Sequence, residues 1–493
     1  MATNQTGRRI AVALAATIAT ALWHGQIGAQ EPTAAPGLTL PAFSACQPAT
    51  QPVLPEKWRA VGLLEPFKPP RLFTTLQLVV GEFVYDAAGP AMRATLYGLQ
   101  SQSLDLLVAD ESTYLLIGPY QAPTDCFAVG PIWNPPSRNW LSAKAQCVGE
   151  ASLISTDVQW WKTPAQPYPA TTWYWYTTAA ARLPWRTLFA GPSDDLAVIG
   201  QYSMTYFPTF EPLSSTNLPQ LLQFCRSRAQ PVIETLDRRA PDLQLLVARS
   251  PNEAGNAERL DRIGSLIPGL SLEACRNQAL PQWPDRQGLG ATTFMTPVKF
   301  TNNPFPTEVL YDWHVRSQRT RLFYPPQSSQ AVGDALLIGG TGYGVDRYRN
   351  GKITCAPGVM PGTPQPDWPK LGDCVCRGVI DNNPVLSPGE ITQVLTCNME
   401  PPSVFWTWYT TASRPVVFYQ TQSPPDVGTG LALADYYDWQ PGYAVPPDVF
   451  DVPSQCLGAE DVARWRPTFL HSAAAGGSAG VPAQCYECHL GPE

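Results

Sequence analysis

The chain has 493 residues, a formal net charge of −7 and only 15% charged residues, against about 25% in common usage. That acidic balance argues against nucleic acid or an anionic membrane surface as the partner. With 53 prolines and 11% aromatic residues, the composition speaks against long unbroken helices and for a β-rich, loop-rich exported protein.

Residues 1–29 read as an export signal. Arg8 and Arg9 form a positive start, 10–23 is a charge-free apolar run, and Gly28-Ala29 supplies the small-residue end. A spanning helix needs about 20 apolar residues, so a cleaved leader is favoured over an anchor. Its loss removes Arg8 and Arg9 and no acid, taking the charge from −7 to −9. No later stretch is long and apolar enough to span a bilayer. The mature chain is therefore expected in the periplasm or outside the cell, without a membrane span.

Residues 30–225 form the first β unit. Dense β-branched and aromatic runs predict strands over 75–85, 104–108, 115–118 and 172–178, separated by Gly, Pro, Asp and Asn. Residues 226–270 form a connector with helical patterns over 241–249 and 252–267. Residues 271–460 form the second β unit, with a strand over 404–411 and a glycine-rich hairpin, not a phosphate loop, over 339–344. In the tail, 461–493, the stretch 472–480 contains only Ala, Gly and Ser and reads as a flexible tether. The expected architecture is mainly β: two tandem antiparallel half-barrel-like units, a short helical connector and a C-terminal tail.

The two units repeat one another. Trp173-Tyr174-Trp175-Tyr176-Thr177-Thr178-Ala179 recurs as Trp406-Thr407-Trp408-Tyr409-Thr410-Thr411-Ala412. Leu115-Leu116-Ile117-Gly118 matches Leu336-Leu337-Ile338-Gly339, and Leu96-Tyr97 matches Leu310-Tyr311. The cysteines follow: Cys46, Cys126, Cys147 and Cys225 are echoed by Cys275, Cys355, Cys374 or Cys376, and Cys456. Of 12 cysteines, ten lie outside the tail, enough for five disulfides in an oxidising compartment. Their connectivity is open; Cys126–Cys147 and its copy is the pairing that the preserved spacing suggests.

Gly81-Glu82-Phe83-Val84-Tyr85-Asp86 followed by Arg93, and Tyr311-Asp312-Trp313 followed by Arg316, Arg319 and Arg321, resemble an ependymin-related domain. So do the Pro-rich turns with Trp140 or Trp368 and the closing Phe450-Asp451-Val452-Pro453-Ser454-Gln455-Cys456. The first unit departs at its close, where Leu218-Pro219-Gln220-Leu221-Leu222-Gln223-Phe224-Cys225 stands instead. That family is similar in fold to bacterial lipoprotein carriers, in which antiparallel sheets curl around an apolar pocket. The resemblance implies an apolar ligand or calcium, and no calcium-site residue can be carried over.

The tail holds Cys485-Tyr486-Glu487-Cys488-His489. Two thiols three positions apart can add across the two vinyl groups of one haem, and the next His reaches the iron. Chance would give this pattern about 0.002 times in a chain of this composition. Competing readings are a Cys485–Cys488 disulfide, a zinc site and an unmodified tail. One covalent haem c, with Cys485 and Cys488 binding the macrocycle and His489 the iron, is the favoured one. The sixth ligand is open between His471, His314, Met399, a neighbouring subunit and water.

No P-loop, dinucleotide fingerprint or nucleophile elbow is present in the sequence. The leading expectation is an exported monohaem c-type cytochrome that transfers electrons with an unidentified redox partner protein. A haem on a tether has to dock, so self-association through the tail is also expected. The alternatives are a secreted protein whose units bind an apolar molecule, with an accessory haem, and a haem enzyme with an open distal face.

Overall fold

A computed structural model describes the chain over 44–457 with interruptions, the longest being 67–76, 131–137, 191–201, 232–251, 298–305 and 422–430. The expected leader, the helical pattern over 241–249 and the tail 461–493 lie outside the described residues.

Strands β1 (Lys57–Pro66), β2 (Val79–Asp86), β3 (Ala91–Gly98), β4 (Ser103–Ala109), β5 (Ser112–Ile117) and β6 (Asp125–Gly130) are successive antiparallel neighbours. So are β7 (Gln146–Leu153), β8 (Thr156–Pro164), β9 (Thr171–Thr177), β10 (Pro184–Ala190) and β11 (Tyr202–Pro212). β1 joins the two runs, pairing with β2 along one edge and β11 along the other, with a register shift between Val61 and Leu63. After helix α1 (Leu218–Arg228), the short β12 (Gln230–Pro231) adds parallel to β6.

Helix α2 (Asn252–Leu266), β13 (Leu270–Ser271) and helix α3 (Glu273–Asn277) lead to a second set. It comprises β14 (Arg286–Leu289), β15 (Phe294–Pro297), β16 (Thr307–Asp312), β17 (Ser317–Phe323), β18 (Gln330–Ile338), β19 (Thr341–Tyr348) and β20 (Ile353–Gly358). It continues with β21 (Cys374–Ile380), β22 (Thr392–Asn398), β23 (Val404–Thr410), β24 (Pro415–Thr421), β25 (Leu431–Asp435) and β26 (Gln440–Pro441). One sheet runs β20-β19-β18-β17-β16-β14-β26 and the other β13-β21-β22-β23-β24-β25-β15. β14 pairs with β16 and β15 with β25, as β1 pairs with β2 and β11. The second set thus repeats the strand order of the first, and β14 with β15 stands where β1 stands.

The ladders fix the equivalences residue by residue. Asp86 pairs with Ala91 and Asp312 with Ser317, so Arg93 corresponds to Arg319. Thr95 pairs with Asp105 and Arg321 with Asp334, which makes Asp105 and Asp334 equivalent. Two of the sequence matches are corrected by this register. Leu115-Leu116-Ile117-Gly118 begins on β5, whereas Leu336-Leu337-Ile338-Gly339 ends β18, the counterpart of β4. Leu96-Tyr97 lies on β3, whereas Leu310-Tyr311 lies on β16, the counterpart of β2. Each match slipped by one strand, because neighbouring Leu-rich strands share the same alternation. The aromatic motif is in register, on β9 and β23, and the helix expected over 252–267 is α2.

Five disulfides form, each within one set: Cys46–Cys147 and Cys126–Cys225 in the first, and Cys275–Cys376, Cys355–Cys456 and Cys374–Cys397 in the second. The expected Cys126–Cys147 pairing is overturned. Cys126 sits on β6, where α1 packs its Leu218, Leu221 and Leu222 against Ala91, Leu107 and Leu116 and brings Cys225 to it. In the second repeat two 3-10 turns, Pro447–Phe450 and Ser454–Cys456, take the place of α1. They cover Leu310, Leu336 and Val345 and deliver Cys456 to Cys355 on β20.

Candidate functional site

Cys485, Cys488, His489, His471 and Met399 lie outside the described residues. His314 is placed: it is exposed in the turn between β16 and β17, its backbone N–H donating to Asp312 Oδ1 at 2.9 Å. The turn closes through Arg316 N–H to Trp313 O at 3.0 Å, with Arg316 in the left-handed region at φ 49°. No group of three His, Cys, Asp or Glu side chains able to hold a metal ion forms among the described residues.

What the fold gathers instead is a buried charge device, present once in each repeat on the face that α1 or the 3-10 turns cover. In the first, Arg93 Nε donates to Asp105 Oδ1 at 2.9 Å, and its Nη2 reaches Asp105 Oδ2 and the Tyr120 carbonyl. Thr95 Oγ1 donates to the same carboxylate at 2.9 Å. In the second, Arg319 donates to Asp334 at 2.9 and 2.6 Å and to Val449 O at 2.6 Å. Arg321, which replaces Thr95, and Arg347 add contacts at 3.2 and 3.1 Å. Burial alone would raise the Asp334 carboxyl, but the three guanidinium charges outweigh it and hold the group far below the ordinary carboxylate range.

Glu82 anchors the same face of the first repeat. Arg59 reaches it at 2.8 Å, and Arg262 of α2 at 2.8 and 2.6 Å. The Tyr120 ring lies 3.8 Å from the Arg93 guanidinium carbon and 4.8 Å from that of Arg262. Burial, then the Glu82 charge, pushes its hydroxyl up to about 12. These contacts dock α2 onto β2 and β3.

The opposite face of the first repeat is apolar. Trp58, Ala60, Leu64, Val79, Phe83, Tyr85, Met92, Ala94, Leu96, Leu104, Leu106 and Leu115 form one buried cluster with Phe207 and Phe210 packed against it. Trp58 stacks on Tyr85 and Phe210 at 5.4 and 4.9 Å. Gly62 and Gly81, cross-strand partners, make room beneath it. A Cβ on Gly81 would stand 2.7 Å from the Phe83 ring and 2.8 Å from Leu64, so only the bare backbone lets the ring lie against the sheet.

The repeats meet at a buried ion pair. Arg186 on β10 donates to both oxygens of Asp435, at the end of β25. Arg186 pairs across its ladder with Tyr206, and Asp435 with Val417. Asp435 therefore occupies in the second repeat the position of Tyr206 in the first.

Sequence reasoning missed these acids. Arg93, Arg319 and Glu82 stood in the motifs that the sequence singled out, but without a role as ion-pair partners, and Asp105 and Asp334 were not singled out. The available signal was the recurrence in both copies of an Arg followed by an Asp on the next strand, 12 positions on in the first and 15 in the second.

No protein-family profile matches the chain, and no curated protein matches it. Among solved structures it is similar to the crystal structure of MucB, at 12% identity over 62% of this chain and 89% of that one, with a TM-score of 0.22. MucB in complex with MucA(peri) is similar at 14% identity over 62% and 88%, TM-score 0.20. A Trp-176-Ala mutant of Transferrin Binding Protein B from Haemophilus parasuis Hp5 is similar at 8% identity over 80% and 77%, TM-score 0.14. TM-scores of this size establish neither a shared fold nor a shared function.

Proposed function

We propose that the chain is an exported monohaem c-type cytochrome, in which a duplicated β scaffold carries a covalent haem on its C-terminal tail for electron transfer. The observation that carries this reading is the cysteine tally. Ten of the 12 cysteines pair among themselves in five disulfides. The two left over, Cys485 and Cys488, are the two of the Cys-x-x-Cys-His motif. Neither can be committed to a structural bridge with the other ten.

In this reading Cys485 and Cys488 form the two thioether links and His489 is the proximal iron ligand. The haem, when bound, supplies one-electron chemistry. His471 folding back, or His314 on its exposed turn, provides the sixth ligand, and the tether lets the haem dock on a β repeat or on a second molecule. The disulfides accord with a periplasmic or extracellular setting, and no helix of the described residues is long and apolar enough to cross a membrane.

The apolar face of the first repeat favours a second reading, a binding protein for an apolar molecule with an accessory haem. Such a face suits the half-barrel resemblance of the sequence. A reduced pyridine haemochrome spectrum after acid–acetone extraction tests the first reading. A c-type band is expected, and it disappears in Cys485→Ala/Cys488→Ala. Haem-free protein from a host competent in cytochrome c maturation would leave the binding-protein reading in its place.

A further inference from the structure

We infer that the second repeat carries a site for an aliphatic ammonium group centred on Asp346, on the face where the first repeat is packed with apolar side chains.

The register gives the argument its force. Leu104, Leu106 and Leu115 of the first repeat's apolar cluster correspond to Gly333, Ala335 and Gly344. Met92, Ala94 and Ile117 correspond to Gln318, Thr320 and Asp346. Three large apolar side chains have become Gly or Ala, and three apolar positions have become polar. Substitutions of this kind, gathered on one face of three adjacent strands, remove volume and supply acceptors together.

The acceptors are buried without partners. Asp346 is 8% exposed, Gln318 2% and Thr307 0%, and Asp346 Oδ1, Gln318 Oε1 and Thr307 Oγ1 have no hydrogen-bond partner. An unpartnered buried acceptor is destabilising, and a hydrogen-bond donor brought by a ligand to Asp346 removes that cost at this atom. Asp346 lies directly beside Gly333 on the neighbouring strand, with Leu322 next in the row and Thr307 three strands away, so Asp346 is the acceptor that the Gly/Ala floor adjoins. The three arginines of the second repeat do not help Asp346, since they converge on Asp334 across the sheet.

Aromatic rings complete the surroundings. Tyr348 follows Asp346 by two positions and is buried on the same face, and Tyr324 continues the face at the end of β17. Burial, then the nearby Asp346 and Tyr348, pushes the Tyr324 hydroxyl well above its ordinary value. The Tyr348 ring already takes a cation at its outer side, with Lys352 Nζ 5.9 Å from its centroid. A carboxyl group, two tyrosines and a Gly/Ala floor suit a compact alkylammonium: charge meets Asp346, and the alkyl part lies over Gly333, Ala335 and Gly344.

The test is thermal unfolding of the full chain at pH 7.5 with n-butylammonium chloride, sodium chloride at equal ionic strength, and n-butanol as the neutral isostere. A rise in transition temperature with n-butylammonium alone is expected. Asp346→Asn should require at least tenfold more amine for the same rise, measured from its own ligand-free transition. Gly344→Leu restores the first repeat's Leu115 and should fold yet lose the response. Equal shifts from butanol, an unchanged response in both variants, or no shift at 100-fold the protein concentration and above would overturn the site, leaving ordered water as the partner of these atoms.

Discussion

Arg186 and Asp435 lie 249 residues apart and meet through two hydrogen bonds of 2.7 and 2.8 Å, with side chains 0% and 1% exposed. One belongs to each repeat, so the pair is a specific fastening between them. Removing one partner strands a buried charge, which costs about 3–5 kcal/mol. Asp435→Asn and Arg186→Met should each lower the urea midpoint accordingly, and Arg186→Met/Asp435→Leu should recover much of the loss. A wild-type midpoint in Asp435→Asn would show that the pair does not hold the repeats together.

The two Arg–Asp devices should differ in sensitivity. Asp334 is fully buried beneath three arginines, whereas Asp105 is 14% exposed and bound to one. Asp334→Ala leaves several cations facing one another and is expected to abolish folding or cost at least about 3–5 kcal/mol. Asp105→Ala should cost less. Parallel denaturation curves of the two variants decide the order.

Asp346 and Asp334 pull stability in opposite directions with pH. Burial, then the Asp334 charge, pushes Asp346 up from 3.8 to about 7, so the folded chain holds a proton that the unfolded chain releases. Through this group stability falls as pH rises from about 4 to 7, and the loss is complete above 7. Asp334, shifted downward, contributes stability above about pH 4 that is lost as pH falls further. Asp346→Asn should erase the falling limb and keep the acid limb, read as urea midpoint against pH.

The disulfide pattern is directly checkable. Non-reducing peptide mapping should recover Cys46–Cys147 and Cys126–Cys225 cross-links and no Cys126–Cys147 peptide. Cys46→Ala/Cys147→Ala opens a bridge spanning 101 positions, and should cost about 2–5 kcal/mol. A midpoint unchanged by that double substitution would mean the bridge constrains nothing.

The repeat itself was legible because Trp173 to Ala179 and Trp406 to Ala412 form a motif that no other strand copies. The strands around it were less so. Leu115 to Gly118 could be laid on either of two neighbouring strands, since alternation marks a strand but not which strand. Cysteine spacing could not choose partners either. Cys46, Cys126 and Cys147 keep their spacing as Cys275, Cys355 and Cys376, and the fourth cysteine shifts by only two positions, so spacing alone did not single out the right pairs. The partners are set by where α1 and the 3-10 turns end, a tertiary fact. Buried acids such as Asp334 were hidden for a similar reason: nothing local separates a solvated Asp from one held by three arginines on neighbouring strands. The Cys-x-x-Cys-His motif over 485–489 stands out in the sequence but lies outside the described residues.

Within each repeat the bridges interleave, Cys46 to Cys147 across Cys126 to Cys225, and Cys275 to Cys376 across Cys355 to Cys456. A chain threaded into an oxidising compartment from its N-terminus presents Cys46 and Cys126 first, and pairing in order of arrival joins the wrong two. Correct closure therefore depends on thiolate attack that undoes early bonds. The yield of native protein should track the supply of a disulfide isomerase more closely than that of an oxidant.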